Sequence, residues 1–227
     1  MSVVSPQKLK LNVGSANDVS ALLLRPLAAR ACFIFAHGAG AGMTHQFMEQ
    51  VATGLCGCGI ATLRYQFPYM EKESKRPDPP AIAHATVRAA VGEAARCCSG
   101  LTLIAGGKSF GGRMTSQAQA IAPLAGVRGL AFLGFPLHPA GKPSNERAKH
   151  LSDVHVPMLF VQGTRDKLAE FQLLEPVVKG LGTSASLHLV QEADHSFHVP
   201  ARSGRNDRDT MNEVVGTLSA WIDATAG

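Results

Sequence analysis

The residues with the clearest chemical potential surround Ser109. The run Gly107-Lys108-Ser109-Phe110-Gly111 has the spacing Gly-x-Ser-x-Gly and follows a short apolar segment. In a sharp strand-to-helix turn a side chain at either outer glycine would collide with the backbone, so small neighbours suit a serine held in a strained conformation. The pattern predicts a nucleophilic serine at a helix N-terminus. The alternatives are a turn that only packs or one that binds phosphate, but the spacing of a phosphate-binding loop is absent.

A serine hydroxyl needs a base to take its proton and a third group to orient that base. Among nine histidines, His195 follows the last predicted strand in the run Asp194-His195-Ser196-Phe197-His198, and it is the predicted base. Asp166, in Gly163-Thr164-Arg165-Asp166 after another apolar strand, is the predicted acid. Asp194 and Glu192 lie nearer to His195 in sequence, and we expect them to be surface or capping carboxylates. His198 is the alternative base.

The glycine-rich run from His37 to Gly42 follows a continuous apolar segment. Its free backbone N–H groups predict one oxyanion donor at Ala39, with the Phe110 amide as the other. A dinucleotide-binding loop is the alternative, but the next strand ends without the acidic residue that such sites use. We expect His37 to brace the loop. The candidates for lining a substrate pocket at the same sheet edge are Tyr65, Phe67, Pro136 and His198.

Short apolar segments alternate with longer helical ones along the chain, which is typical of a mostly parallel sheet covered on both faces. Predicted strands cover residues 8–13, 19–25, 31–36, 60–65, 101–105, 127–134, 157–162 and 186–190, the first two as an antiparallel edge pair. Predicted helices cover 45–56, about 80–98, 110–121, 168–181 and 207–224, the last with Trp221 inward. Residues 136–153 have room only for a loop or a short helix, so we expect no lid. One domain over residues 1–227 is expected.

The composition excludes several other classes of protein. The chain has 227 residues and a net charge of +5, but its cations form no dense run, which favours a solvated surface over nucleic-acid binding. Its five cysteines are odd in number and lack zinc-site spacing, so we expect reduced thiols, no metal and no cofactor.

Residues 1–10 do not resemble a secretory signal, and no apolar stretch could span a bilayer. A cytoplasmic protein without a membrane partner is expected, and homodimerisation stays open.

The order Ser109, Asp166, His195 along the chain is that of the α/β-hydrolases. Together with the runs HGAGAG, RYQFPY, GGKSFGGR, LGFPL, QGTRD and ADHSF, it resembles a family of small α/β-hydrolases related to dienelactone hydrolases, which includes testis-expressed proteins and a chromatin-complex subunit. The resemblance runs from about Ala31 to Trp221 and implies an α/β-hydrolase fold with the same three catalytic residues. Dienelactone hydrolases carry cysteine where this chain has Ser109, which weakens any transfer of their lactone substrate to this chain.

The leading hypothesis is hydrolysis of small carboxylic esters through an acyl-enzyme. Thioesterase, lactonase and peptidase activities remain open, because the sequence does not fix the shape of the pocket. A non-catalytic scaffold protein is the main alternative from another class, since relatives in the chromatin complex resemble interaction proteins. A dinucleotide-dependent enzyme is a more distant alternative.

Overall fold

One sheet of eight strands organises the protein, in the order β1-β2-β4-β3-β5-β6-β7-β8. The computed structural model describes residues 5–14 and 18–226; residues 1–4, part of the segment expected to lack a secretory signal, lie outside it. The strands are β1 Gln7–Asn12, β2 Asp18–Leu24, β3 Ala31–Ala36, β4 Ile60–Tyr65, β5 Thr102–Lys108, β6 Val127–Leu133, β7 Met158–Gly163 and β8 Ala185–Val190. Strand β2 pairs antiparallel with both β1 and β4. All other neighbouring strands pair in parallel. The predicted sheet with an antiparallel edge pair is confirmed.

Helices cover both faces of this sheet. They are α1 Gln46–Gly57, α2 Pro68–Glu71, α3 Pro80–Cys97, α4 Phe110–Ile121, α5 Phe171–Gly180 and α6 Asp207–Ala226. One apolar cluster joins the sheet to α3, α4 and α5, and the other joins it to α1 and α6, with Trp221 packed against the latter. In β3, Cys32 and Ile34 face the first cluster, whereas Phe33 and Phe35 face the second. Burial on both faces explains why β3 is continuously apolar in sequence.

Strand β5 differs most from its predicted bounds, because it continues through two glycines to Lys108. Gly106 and Gly107 pair with both β3 and β6. A Cβ atom at Gly106 would lie 1.8 Å from the carbonyl oxygen of Ala131, so only glycine fits this close approach. The glycines were predicted to belong to the turn, but they extend the strand to the residue before Ser109.

The chain between β6 and β7 passes over the carboxyl edge of the sheet without forming a lid domain among the described residues. It is irregular apart from a 3-10 helix at Glu146–Asp153, as the prolines in this region predicted. Two further differences are small: α2 was not predicted, and α5 begins three residues later than expected. No helix in residues 5–14 and 18–226 is both long and apolar enough to cross a membrane.

Candidate active site

Ser109 lies between the end of β5 and the start of α4, in a backbone conformation that is rare for serine. Its φ is 50° and its ψ is −115°. A Cβ atom at Gly107 would lie 2.5 Å from the Ala36 carbonyl oxygen, and one at Gly111 would lie 2.5 Å from that of His37. The turn therefore packs directly on the end of β3, and both glycines are required by space, as the sequence predicted. The serine side chain stands at the N-terminus of α4.

A continuous chain of hydrogen bonds joins Ser109, His195 and Asp166. The Ser109 Oγ atom lies 2.9 Å from His195 Nε2, and His195 Nδ1 lies 2.6 Å from Asp166 Oδ2. A carboxylate only accepts hydrogen bonds, so Nδ1 carries the hydrogen and Nε2 of the neutral ring accepts the serine hydroxyl. The structure thus brings together the three residues that sequence order selected, although 86 and 29 positions separate the bonded pairs.

The Asp166 carboxylate is held on both of its oxygens and is only 2% exposed. Oδ1 accepts the backbone N–H of Leu168 at 2.8 Å, while Oδ2 accepts the side-chain amide of Gln162 in addition to His195. The carbonyl of the Gln162 side chain in turn accepts the Phe135 N–H at 2.8 Å. Gln162 therefore orients the acid, a role that the sequence analysis missed. The available signal was a polar residue near the end of an otherwise apolar buried strand.

The loop from His37 to Gly42 is fixed by side chains behind it. His37 donates from Nδ1 to the Gly38 carbonyl and accepts the Phe67 N–H on Nε2, at 2.8 and 3.0 Å. Burial lowers the pKa of His37 to about 4, so the ring is neutral and braces the loop as expected. The Tyr69 hydroxyl donates to the Ala39 carbonyl at 2.8 Å. These bonds leave the Ala39 N–H without an acceptor among the described residues.

Two cavities flank Ser109, and the side chains that line them differ. The loop-side cavity, about 370 Å³, is lined by the glycine-rich loop, Phe47, Met48, Lys108 and His195. The arginine-side cavity, about 390 Å³, is lined by prolines, Asp78 and two arginines. Ala39, Ser109 and Leu168 line both cavities. The serine oxygen can therefore be approached by a molecule that extends in two directions.

The predicted pocket residues are distributed unevenly around this site. Pro136 lines the arginine-side cavity. Tyr65 and Phe67 do not reach either cavity, because both are fully buried in the apolar packing behind the loop. His198 is exposed and bonded to Asp207 at 2.9 Å, in a groove that adjoins the loop-side cavity and is lined also by His45 and Met211. It is therefore not placed to take the Ser109 proton.

Lys108 is an unpredicted neighbour of the histidine. Its amine donates to the His195 backbone carbonyl and lies 5.8 and 5.4 Å from the ring centroids of Phe47 and Phe197. Burial lowers the pKa of Lys108 to about 8, although the nearby carboxylates of Asp166 and Asp194 oppose that shift. The lysine thus anchors the loop that carries the base. Within the described residues, no three metal-binding side chains converge, so the site offers no group of ligands for a metal.

Comparison with known proteins agrees with this architecture. A family model described as "Alpha/beta hydrolase domain" matches residues 29–223. The chain belongs to this family. The match covers every element from β3 to α5 and β8 and most of α6, including the serine turn, the acid loop and the histidine loop. The α/β-hydrolase fold that the motifs implied is therefore confirmed.

Solved structures share the fold at low sequence identity. A dienelactone hydrolase from Anabaena variabilis is 21% identical, with 97% of this chain and 98% of that chain covered and a TM-score of 0.78. An a/b serine hydrolase without lid from Xanthomonas campestris is 19% identical, with 97% of both chains covered and a TM-score of 0.74. An esterase domain of a Rhodothermus marinus protein is 15% identical, with 98% and 100% covered and a TM-score of 0.74. At these identities the likeness shows that the fold is shared, and nothing more.

Proposed function

We propose that this protein is a serine hydrolase that cleaves carboxylic esters of small molecules through an acyl-enzyme. The observation that carries the proposal is the hydrogen-bond chain from Ser109 through His195 to Asp166, at 2.9 and 2.6 Å. This hydrogen-bond chain begins at Ser109, whose backbone is strained and whose side chain lines two cavities. A buried carboxylate fixes the histidine tautomer whose free Nε2 can accept a proton.

In the acylation step, Ser109 Oγ attacks the ester carbonyl carbon and its proton moves to His195 Nε2. The negative charge on the carbonyl oxygen is stabilised by the backbone N–H groups of Phe110 and Ala39. The imidazolium, stabilised by Asp166, then gives its proton to the leaving alcohol oxygen as the carbon–oxygen bond breaks. The acyl group remains bonded to Ser109.

In the deacylation step, water attacks the acyl carbon and gives a proton to His195. The resulting tetrahedral intermediate collapses as the bond to Ser109 Oγ breaks, and His195 returns the proton to that oxygen. The carboxylic acid leaves and the enzyme is regenerated. Every proton and bond in this sequence is accounted for by Ser109, His195, water and the ester.

Two structural neighbours are named as an esterase domain and a dienelactone hydrolase, and both names support cleavage of an ester bond, open or cyclic. Thioesters, lactones and peptides would use the same first step. Small esters are favoured because the two cavities are moderate in volume and no lid encloses them in the described part of the chain. We further propose a cytoplasmic location, since all five cysteines are unpaired.

The experiment is labelling with a fluorophosphonate probe, read by intact mass and peptide mapping. One adduct on Ser109 is expected in the wild type, none in Ser109→Ala, and a strongly reduced yield in His195→Ala. Ser116→Ala is the matched control, because Ser116 also contacts a histidine, His150, at 2.7 Å. It should label like the wild type. An unlabelled, folded wild type would support the scaffold alternative instead.

A further inference from the structure

The arginine-side cavity brings two guanidinium groups to the side of Ser109. Arg113 lies one turn along α4 from the serine, and Arg147 lies on the 3-10 helix between β6 and β7. Both line the cavity that Ser109 also lines. Residues from separate segments thus place two positive charges in a space open to the candidate nucleophile.

Neither arginine has a protein anion as partner among the described residues. Arg113 and Arg147 form no ion pair, and the Glu146 carboxylate, beside Arg147 in sequence, binds Lys149 at 2.8 Å instead. Asp78 lines the same cavity, but its carboxylate accepts the Tyr69 backbone N–H at 2.9 Å. The Nε atom of Arg113 is buried and has no hydrogen-bond partner. A buried guanidinium donor without an acceptor is costly, and an anionic ligand would remove that cost.

An aromatic ring and a second arginine are the described neighbours that act most directly on Arg113. Its guanidinium lies 5.9 Å from the Phe110 ring centroid, which supplies a face but no charge. Burial and, to a smaller extent, the nearby charge of Arg147 together lower the pKa of Arg113 to about 10. Arg113 in turn contributes to the lowered pKa values of His84 and His150. Asp78 also lines this cavity, but no ion pair among the described residues neutralises either guanidinium.

Resting on the proposed ester hydrolysis, we infer that the substrate carries an anionic group, a carboxylate or a phosphate, which binds Arg113 and Arg147 while its ester carbonyl reaches Ser109. A guanidinium presents paired N–H donors that match either anion. The loop-side cavity then accepts the uncharged half of the ester. The arginine pair selects the class of substrate and takes no part in the bond-breaking steps.

The test compares kcat/KM for matched charged and neutral esters. One pair places the charge on the acyl half, as mono-4-nitrophenyl glutarate against 4-nitrophenyl pentanoate. The other places it on the alcohol half, as 4-acetoxybenzoate against 4-acetoxybenzamide. The wild type should prefer the charged member of one pair by about 10- to 100-fold, the strength of a charged hydrogen-bonding contact. The pair that shows the preference identifies the half of the ester that enters the arginine-side cavity.

In Arg147→Gln and Arg113→Gln the ratio of charged to neutral kcat/KM should fall to near one, and Arg147→Lys should keep part of it. Arg128→Gln is the matched control: it removes the same charge from an exposed position at the start of β6, and its ratio should equal that of the wild type. Arg147 is only partly buried, so its variants keep the test meaningful if Arg113→Gln does not fold.

Binding without turnover separates this inference from the proposed activity. Glutarate and inorganic phosphate are titrated against the wild type and Arg147→Gln, with Tm as the readout, and the anion that stabilises the wild type more is the preferred one. Arginine-dependent stabilisation without ester hydrolysis would support the anion site and reject the activity. A different result would overturn the anion site and leave the activity in place. In that result, wild type and Arg147→Gln hydrolyse charged and neutral esters with the same ratio of kcat/KM, and neither anion shifts Tm in an arginine-dependent way.

Discussion

Two serine–histidine pairs are hydrogen-bonded within residues 5–14 and 18–226, and they differ in the direction of the hydrogen bond. Ser116 Oγ lies 2.7 Å from His150 Nε2, slightly closer than the 2.9 Å between Ser109 and His195. Ser116, however, donates its single hydrogen to the Arg113 carbonyl at 3.0 Å. His150 Nε2 must therefore carry a hydrogen and donate it to Ser116. At the Ser109 pair, Asp166 places the hydrogen on Nδ1 and leaves Nε2 as the acceptor.

The environment strengthens that difference. Burial lowers the pKa of His150 to about 4, and the charge of Arg113 adds to the effect, so this ring is a poor base. Ser116 lies inside α4 and is fully buried, whereas Ser109 lies in the strained turn and borders two cavities. Proximity of a serine and a histidine is thus insufficient for catalysis. A third residue that fixes the tautomer, and access to a substrate, distinguish the two pairs.

The largest expected effect separates the two serines directly. Ser109→Ala should lower kcat for an activated short-chain ester by about 10⁴-fold or more, because the nucleophile is lost. Ser116→Ala should keep kcat near that of the wild type, but should lower the free energy of unfolding by about 1–3 kcal/mol, since His150 loses its acceptor. Steady-state kinetics and urea unfolding measure both. Equal losses of activity in the two variants would contradict the assignment.

The second prediction concerns the acid that distinguishes the pairs. Asp166→Asn should lower kcat by about 10³- to 10⁴-fold, because an amide at this position no longer stabilises the imidazolium or enforces the tautomer. Asp207→Asn is the control: it removes the partner of the exposed His198 and should leave kcat unchanged. Retained activity in folded Asp166→Asn would remove the acid from the mechanism.

The third prediction tests the strained turn before α4, in which Ser109 lies and Ser116 does not. In Gly111→Ala the new Cβ would lie 2.5 Å from the His37 carbonyl oxygen, and the backbone must shift. A loss of about 3 kcal/mol in the free energy of unfolding is expected, together with lower kcat. Gly92→Ala is the control, because nothing lies within 4 Å of the added atom in α3, and it should stabilise by about 0.5–1 kcal/mol. Thermal unfolding of both variants checks the contrast.

The smallest effect concerns Lys108, which lies beside His195 but has no counterpart at the Ser116 pair. Its pKa is lowered from 10.5 to about 8 in the folded protein, mainly by burial, so between these values the unfolded chain binds more protons. The free energy of unfolding therefore rises with pH through this window. Relative to Lys108→Met, the wild type should gain about 2–3 kcal/mol from pH 8 to 10.5. Lys142→Met, at an exposed position, should follow the wild type. A constant difference across the window would show that Lys108 titrates normally.

Local pattern was sufficient for most of the elements. The runs 31–36 and 60–65 predicted β3 and β4 with the bounds that the structure has, because strands buried on both faces are mostly apolar. The end of β5 was harder to predict, since glycine is compatible with a turn or a strand. Its assignment depends on β6, whose Ala131 carbonyl leaves no space for a side chain at Gly106.

The sequence by itself determined the fold family and the order of Ser109, Asp166 and His195, because motif spacing and strand order place all three at the carboxyl edge of one sheet. Only the tertiary structure decided which side chains surround them. Gln162 donates a hydrogen bond to the acid, and Lys108 donates one to the histidine loop. Arg113 and Arg147 line one cavity although 34 positions separate them in sequence. Such contacts join separate elements, so no local pattern encodes them. Tyr65 and Phe67, expected at the pocket, were withdrawn into the core for the same reason.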